Sequence, residues 1–244
     1  FTLPQRRLRA ALSVPPAENR RMRRLHTLLL PLLYLGVIAA TSAQTTPIRI
    51  GQVQGDGETS PLAGKEVMVE GVVTAVTTLG ASTGASTGGL NGWFLQDMDD
   101  GDPATSDALF VIDDGDPAVG ARVQVRGRVI EKEGSRGSWT VLDPLGVTPL
   151  GRSRPPRAVK LSAPPADWER YENMRVRIAA PLTVAGTHRA GKYGELLVNF
   201  GERLRTPADA VAPGEAARAL AADNARRMLR LDDGSDTESP ASIW

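Results

Sequence analysis

Cysteine is absent from the 244 residues, so neither a disulfide framework nor a thiolate-ligated zinc site can be built. Histidine is almost as scarce: His26 and His188 are the two present. A Ser-His-Asp triad would have to use His188, in the loop Gly186-Thr-His-Arg-Ala-Gly191, and no nucleophile elbow accompanies it. Aromatic residues make up 5% of the chain. A strong excess of positive charge is also missing, which argues against a broad nucleic-acid footprint. The net charge of +1 hides an uneven distribution. Residues 1–43 hold seven arginines against one glutamate, which leaves residues 44–244 at net −5. Residues 44–150 carry 15 acidic against 7 basic residues, and residues 151–244 carry 12 against 15. A local polyanion contact is therefore better placed in the second half.

What the chain has in quantity is glycine (25) and proline (18), with short apolar runs between them. Turn formers separating short runs predict β structure rather than long helices. Arg23-Arg24 precede the apolar run LLLPLLYLGVIAA (Leu28–Ala40) and the small residues Thr41-Ser42-Ala43. That order is the pattern of a secretory signal peptide, here residues 22–43, with cleavage near Ala43. The run falls short of the roughly 20 apolar residues a membrane span needs, so no stable insertion is expected after cleavage. Met22 reads as the start, and residues 1–21, rich in Arg and Pro without periodicity, as a disordered upstream extension.

In the mature part, Ile48-Arg49-Ile50 reads as a lead-in strand. Lys65–Val76, Trp93–Asp97, Ala108–Ile112, Ala121–Ile130 and Ser138–Leu142 read as five strands, with a short closing one at Gly146–Leu150. Gly71 and Gly127 suggest a bulge or bend. Between the first two strands GASTGASTGG (Gly80–Gly89) is a low-complexity hairpin tip. The alternation is clearest in ARVQVRGRVI: Val123, Val125 and Val129 on one side, Arg122, Gln124, Arg126 and Arg128 on the other. Five short strands with glycine bends predict a mostly β chain whose residues 44–151 form an OB-fold-like five-stranded barrel. A β-sandwich fits the same pattern. Residues 152–166 read as a Pro/Arg-rich linker, and residues 167–244 as a second α+β unit: a helical turn at Trp168–Asn173, strands at Met174–Ile178, Leu196–Phe200 and Arg226–Leu231, and a short helix in the proline-led alanine run of Ala208–Ala222, too few strands to close a barrel.

Two groups of residues could carry chemistry. The loop Asp97, Asp99, Asp100, Asp102 gathers the hard oxygen ligands that Ca²⁺ prefers. It departs from the EF-hand pattern, with glycine one place early and Ala108 where the bidentate glutamate belongs, and a solvated turn-rich hairpin competes with the calcium reading. Arg122, Arg126 and Arg128 share a strand face, with Trp93 and Trp139 on neighbouring strands. Cations interleaved with aromatics are how OB-folds hold single-stranded nucleic acid, whereas a polar exterior over core tryptophans is the competing reading. No carboxylate pairing marks a two-metal nuclease centre.

Six segments in order carry a resemblance: IRIGQVQGDGETSPLAGKEVMVEGVVTAV (48–76), GWFLQD (92–97), DGDPATSDALFV (100–111), WERYENMRVRI (168–178), GKYGELLV (191–198) and NARRMLRLDDGS (224–235). Together they resemble the N-terminal, non-catalytic region of bacterial extracellular nucleases of the endonuclease/exonuclease/phosphatase superfamily. The resemblance implies OB-fold domains ahead of a metal-dependent nuclease domain that would follow residue 244. Residues 167–244 would then be a second, truncated OB-like unit. It further implies a secreted protein that binds nucleic acid or positions the catalytic domain. A structural docking module of an exported multidomain protein, with no nucleic-acid binding of its own, is the alternative.

Overall fold

A computed structural model describes residues 46–77, 91–134, 137–232, 238 and 239. The upstream extension, the signal peptide and Gly80–Gly89 lie outside the described residues. No helix among the described residues is long and apolar enough to cross a membrane.

The first half closes into a five-stranded barrel, the OB architecture that the strand pattern predicts. Its strands are β1 (Glu66–Val76), β2 (Trp93–Gln96), β3 (Ala108–Val111), β4 (Ala121–Gly134) and β5 (Gly137–Arg152). Around the barrel the order is β1-β2-β3-β5-β4, and β4 returns to β1. All pairings are antiparallel except β3 with β5, where Phe110 lies opposite Val141 and Val111 opposite Leu142. The sequence divides β5 into two short strands, but the structure runs it unbroken through Pro144 and Pro149. Register shifts in the β4–β5 ladder occur at Arg122/Val123 and Arg126/Gly127. The second matches the expected bend at Gly127, where a Cβ would stand 2.6 Å from the Asp143 carbonyl oxygen. In β1 the irregularity falls between Val73 and Ala75 rather than at Gly71.

Strand alternation fills the barrel with Val67, Val69, Val73, Trp93, Leu95, Leu109, Val111, Val123, Val125, Val129 and Leu142. Each such aliphatic side chain gains on the order of 1.5–3 kcal/mol on leaving water. The lead-in segment differs from the sequence expectation. Ile48 makes a single parallel bridge with Val69, and Ile50–Gln54 is a helical turn, α1. Ile50 and Val53, three residues apart on one helical face, both join the barrel core. The Gln52 side chain accepts the Arg49 backbone N–H at 3.2 Å, which satisfies one donor at the start of α1.

The second half contains two small sheets. β6 (Val159–Leu161), inside the stretch read as linker, pairs in parallel with β7 (Val176–Ile178). β8 (Leu182–Gly186), β9 (Leu196–Phe200) and β10 (Met228–Leu231) form an antiparallel sheet in the order β10-β9-β8. A 3-10 turn spans Glu169–Tyr171. The helices are α2 (Ala190–Tyr193), α3 (Pro207–Ala210) and α4 (Glu215–Arg227). The proline-led alanine run did predict a helix here, although α4 begins later and ends five residues beyond Ala222.

Leu95 sits fully buried at the centre of the barrel. Leu95→Ala is expected to cost about 2–5 kcal/mol, lowering the urea midpoint while leaving the m-value unchanged. A loss below about 0.5 kcal/mol, the size of an ordinary surface effect, would mean the barrel interior is not the folding core.

Candidate functional site

Strand alternation decides what faces outward. Trp93 and Leu95 of β2 belong to the core, so Phe94 and Gln96 point out. On β3, Leu109 and Val111 point in and Phe110 points out. On β5, Leu142 is in the core, which puts Val141 and Trp139 outside. The outer surface of β2–β3–β5 therefore carries a row of three aromatic rings. Phe94 and Phe110 meet edge to face with centroids 5.0 Å apart, and Phe110 and Trp139 lie 5.2 Å apart, tilted. Phe110 is 1% exposed and braces the row, while Phe94 and Trp139 are half-buried. Gly92 permits this packing: a Cβ there would stand 2.1 Å from the Val111 carbonyl oxygen and 2.5 Å from Phe110 Cζ. Lys132 lies opposite Trp139 in the β4–β5 ladder.

This surface changes the membership of the site read from sequence. Trp139 is on it. Trp93 is not: it is 0% exposed in the barrel core, and its indole N–H donates to Asp113 Oδ2 at 3.0 Å. It has no free face on which a base could stack. Phe94 and Phe110 were missed, although the alternation of β2 about Trp93 and Leu95 held the signal. Arg122, Arg126 and Arg128 do face outward on β4. Two of them are held by the neighbouring strand: Arg122 donates to Glu70 Oε2 and Arg126 to Glu66 Oε1, both at 2.9 Å. Arg128 has no ion pair among the described residues. It lies four positions along β4 from Lys132, the residue opposite Trp139, or about 13 Å.

The acidic loop is built by its own backbone. Asp99 Oδ1 accepts the Gly101 N–H, Asp100 Oδ1 that of Asp102, and Asp102 Oδ1 that of Ala104, at 2.8–2.9 Å. Asp97 accepts the Met98 N–H and pairs with Arg49 at 2.9 Å. These are successive Asx turns, which spend the carboxylates locally. Among the described residues no group of three or more His, Cys, Asp or Glu stands together as a metal-holding set. Asp97, Asp99, Asp100 and Asp102 thus lie in a turn-rich hairpin. Asp107, buried behind them, is pushed up to about 6 by burial and by Asp100, against the pull of the Asp100 backbone N–H.

A polar seam that the sequence did not reveal joins the 3-10 turn of the second half to the barrel. The Glu172 carboxylate accepts the Thr140 backbone N–H from β5 at 3.0 Å, Gln54 Nε2 from α1 at 3.3 Å and Asn173 Nδ2 at 2.9 Å. Ser106 Oγ donates to the Glu172 carbonyl, and the Arg175 backbone N–H donates to Gln96 Oε1. Glu131 approaches from β4, accepting from Thr140 Oγ1 and from the Ser60 backbone N–H. Burial pushes Glu172 up to about 7, the donated N–H groups of Thr140 and Gln54 pull it back, and neighbouring Glu169 raises it again. Glu169 is itself raised, first by burial. His188, exposed between β8 and α2, has no part in this seam.

Comparison with protein-family models, with curated proteins and with solved structures returns no match.

The folded value of Glu172 lies above its ordinary value of 4.5. Its contribution to stability is therefore complete below pH 4.5 and is lost as pH rises to about 7. Glu172→Gln keeps an acceptor for Thr140 and removes the titration. Thermal melts from pH 4.5 to 8 should show the variant gaining on the parent as pH rises. Parallel curves would mean that Glu172 does not govern the seam.

Proposed function

We propose that this chain is a non-catalytic region of a secreted nuclease that binds single-stranded nucleic acid and positions it. The observation that carries the reading is the outward row Phe94–Phe110–Trp139 on the β2–β3–β5 surface. OB-folds take oligonucleotides on the β2–β3 surface beside the β1–β2 and β4–β5 connections. Phe94 is the second residue of β2 after the first connection, and Trp139 the third residue of β5 after the second. Bases stack on such rings regardless of sequence, which suits a module that feeds a nuclease rather than one that selects a site. Fold by itself assigns no function, so the weight rests on the row. The ordered resemblance of six segments to extracellular nucleases supports the second part of the reading.

A docking module remains the second reading, and one observation favours it. Val119, Leu145, Val147 and Leu150 are large apolar side chains exposed on or beside the distal part of β5.

Fluorescence anisotropy of a labelled single-stranded oligonucleotide separates the two. The first reading expects saturable binding that weakens with salt, and a loss of about tenfold in Trp139→Ala. Absence of saturable binding by demonstrably folded protein at low salt would hand the case to docking.

A further inference from the structure

Two cations of the second half converge on one nearly buried carboxylate. Arg189, just before α2, donates Nε and Nη2 to the two oxygens of Glu195 at 2.8 and 2.6 Å. Arg230 of β10 approaches Glu195 Oε2 at 2.8 Å. The Glu195 side chain is 9% exposed, whereas those of Arg189 and Arg230 are 42% and 35% exposed. The acid lies beneath the arginines and, by the two-point contact, fixes the guanidinium plane of Arg189. Two of the five N–H donors of Arg189 are committed to it. The Glu195 hydrogen bonds first, and the charge of Asp232 least, raise the pKa of Arg189.

Beside them, Tyr193 holds two cations against its ring. Arg189 Cζ lies 4.6 Å and Lys192 Nζ 4.9 Å from the centroid. A ring that holds outward cations in place presents them to the phosphates of a single strand. An acid already sits there. Glu238 Oε1 accepts the Tyr193 hydroxyl at 3.3 Å and lies 3.4 Å from Lys192 Nζ. The Ser239 backbone N–H donates to the Lys192 carbonyl at 2.7 Å. Both partners of the Lys192–Glu238 pair are more than half exposed, and such a pair is weak and displaceable. In the barrel, Glu70 and Glu66 hold Arg122 and Arg126 across a strand ladder.

We propose that the corner formed by Arg189, Lys192, Tyr193 and Arg230 binds the phosphodiester backbone of a single-stranded nucleic acid, with Glu238 as a resident competitor for the same donors. The proposal rests on the nucleic-acid reading above and names where its charge contacts lie.

The test is an anisotropy titration of a labelled single-stranded DNA oligonucleotide across a salt series, using the full chain. Lys192→Gln is expected to weaken binding severalfold and to reduce the slope of log K against log salt by about one. Tyr193→Ala should weaken binding about tenfold, and Tyr193→Phe should retain it. Glu238→Gln should tighten binding about twofold. If Trp139→Ala weakens binding while Lys192→Gln and Glu238→Gln change neither affinity nor slope, this corner is overturned and the barrel reading survives. If folded parent protein does not bind at low salt, both fall together.

Discussion

Strand β1 has to satisfy two neighbours at once. Its eleven residues pair with β4 from Glu66 to Val72 and with β2 from Val72 to Val76, so Val72 takes part in both ladders. A straight strand cannot turn from one edge of the barrel to the other, and the irregularity between Val73 and Ala75 gives β1 the extra twist. Closure follows from that crossing. It leaves the barrel no seam at β1, and it fixes which side of each strand looks inward. One opening remains at the end of the barrel, and α1 fills it with Ile50 and Val53. A buried helical turn brings polar backbone with it. Ser60 Oγ answers part of that cost by donating to the Val53 carbonyl, and Gln54 Nε2 ties the turn to β3 by donating to the Ala108 carbonyl.

The same inward-outward rule decides the character of the surface. A one-residue shift in β2 would exchange Trp93 for Phe94, and the candidate site would change hands. This is why the sequence conveyed the barrel more fully than the site. Alternation in Arg122–Val129 and the glycine at 127 were local and periodic, and they placed β4 and its bend correctly. Trp93 could not be placed by type, because tryptophan is at home in a core and on a binding face alike. Its neighbours Leu95 and Gln96 carried the answer. The acidic loop was ambiguous for a related reason. Aspartates spaced by one residue serve a cation or cap their own turn, and the difference lies in the backbone path.

Non-local structure was legible only where it had a local cause. β9 and the 3-10 turn at Trp168–Asn173 were read from apolar or aromatic runs. β6 was lost in a proline-rich stretch because its partner, β7, lies about 17 residues away in the chain. The Glu172 seam draws on α1, the Ser106 loop, β4 and β5 together, over separations of 32 to 118 residues. No motif spans such distances. Its physical sense is clear in three dimensions: a half-buried carboxylate is tolerated because N–H groups from three directions point at it. Neighbouring Glu169 sets the limit of that tolerance, since its negative charge raises Glu172 further.

Charge placement bears on how an acidic barrel could serve a nucleic-acid partner. Residues 44–150 hold about twice as many acids as bases, so their summed field opposes a polyanion at low salt. At physiological ionic strength that field decays over about 8 Å, and contacts beyond this distance from the Asp97–Asp102 loop are felt mainly through their nearest charges. Stacking on Phe94 and Trp139 needs no net charge. Cations at the α2 corner can act on phosphates without the barrel becoming basic. The two contributions respond differently to salt, because stacking is nearly insensitive to it and phosphate contacts release counterions. A protein arranged in this way would bind modestly, with a shallow salt slope set by the few cations of the α2 corner. Under the proposed function, that combination would let a strand slide rather than lodge, as positioning for a separate catalytic step requires.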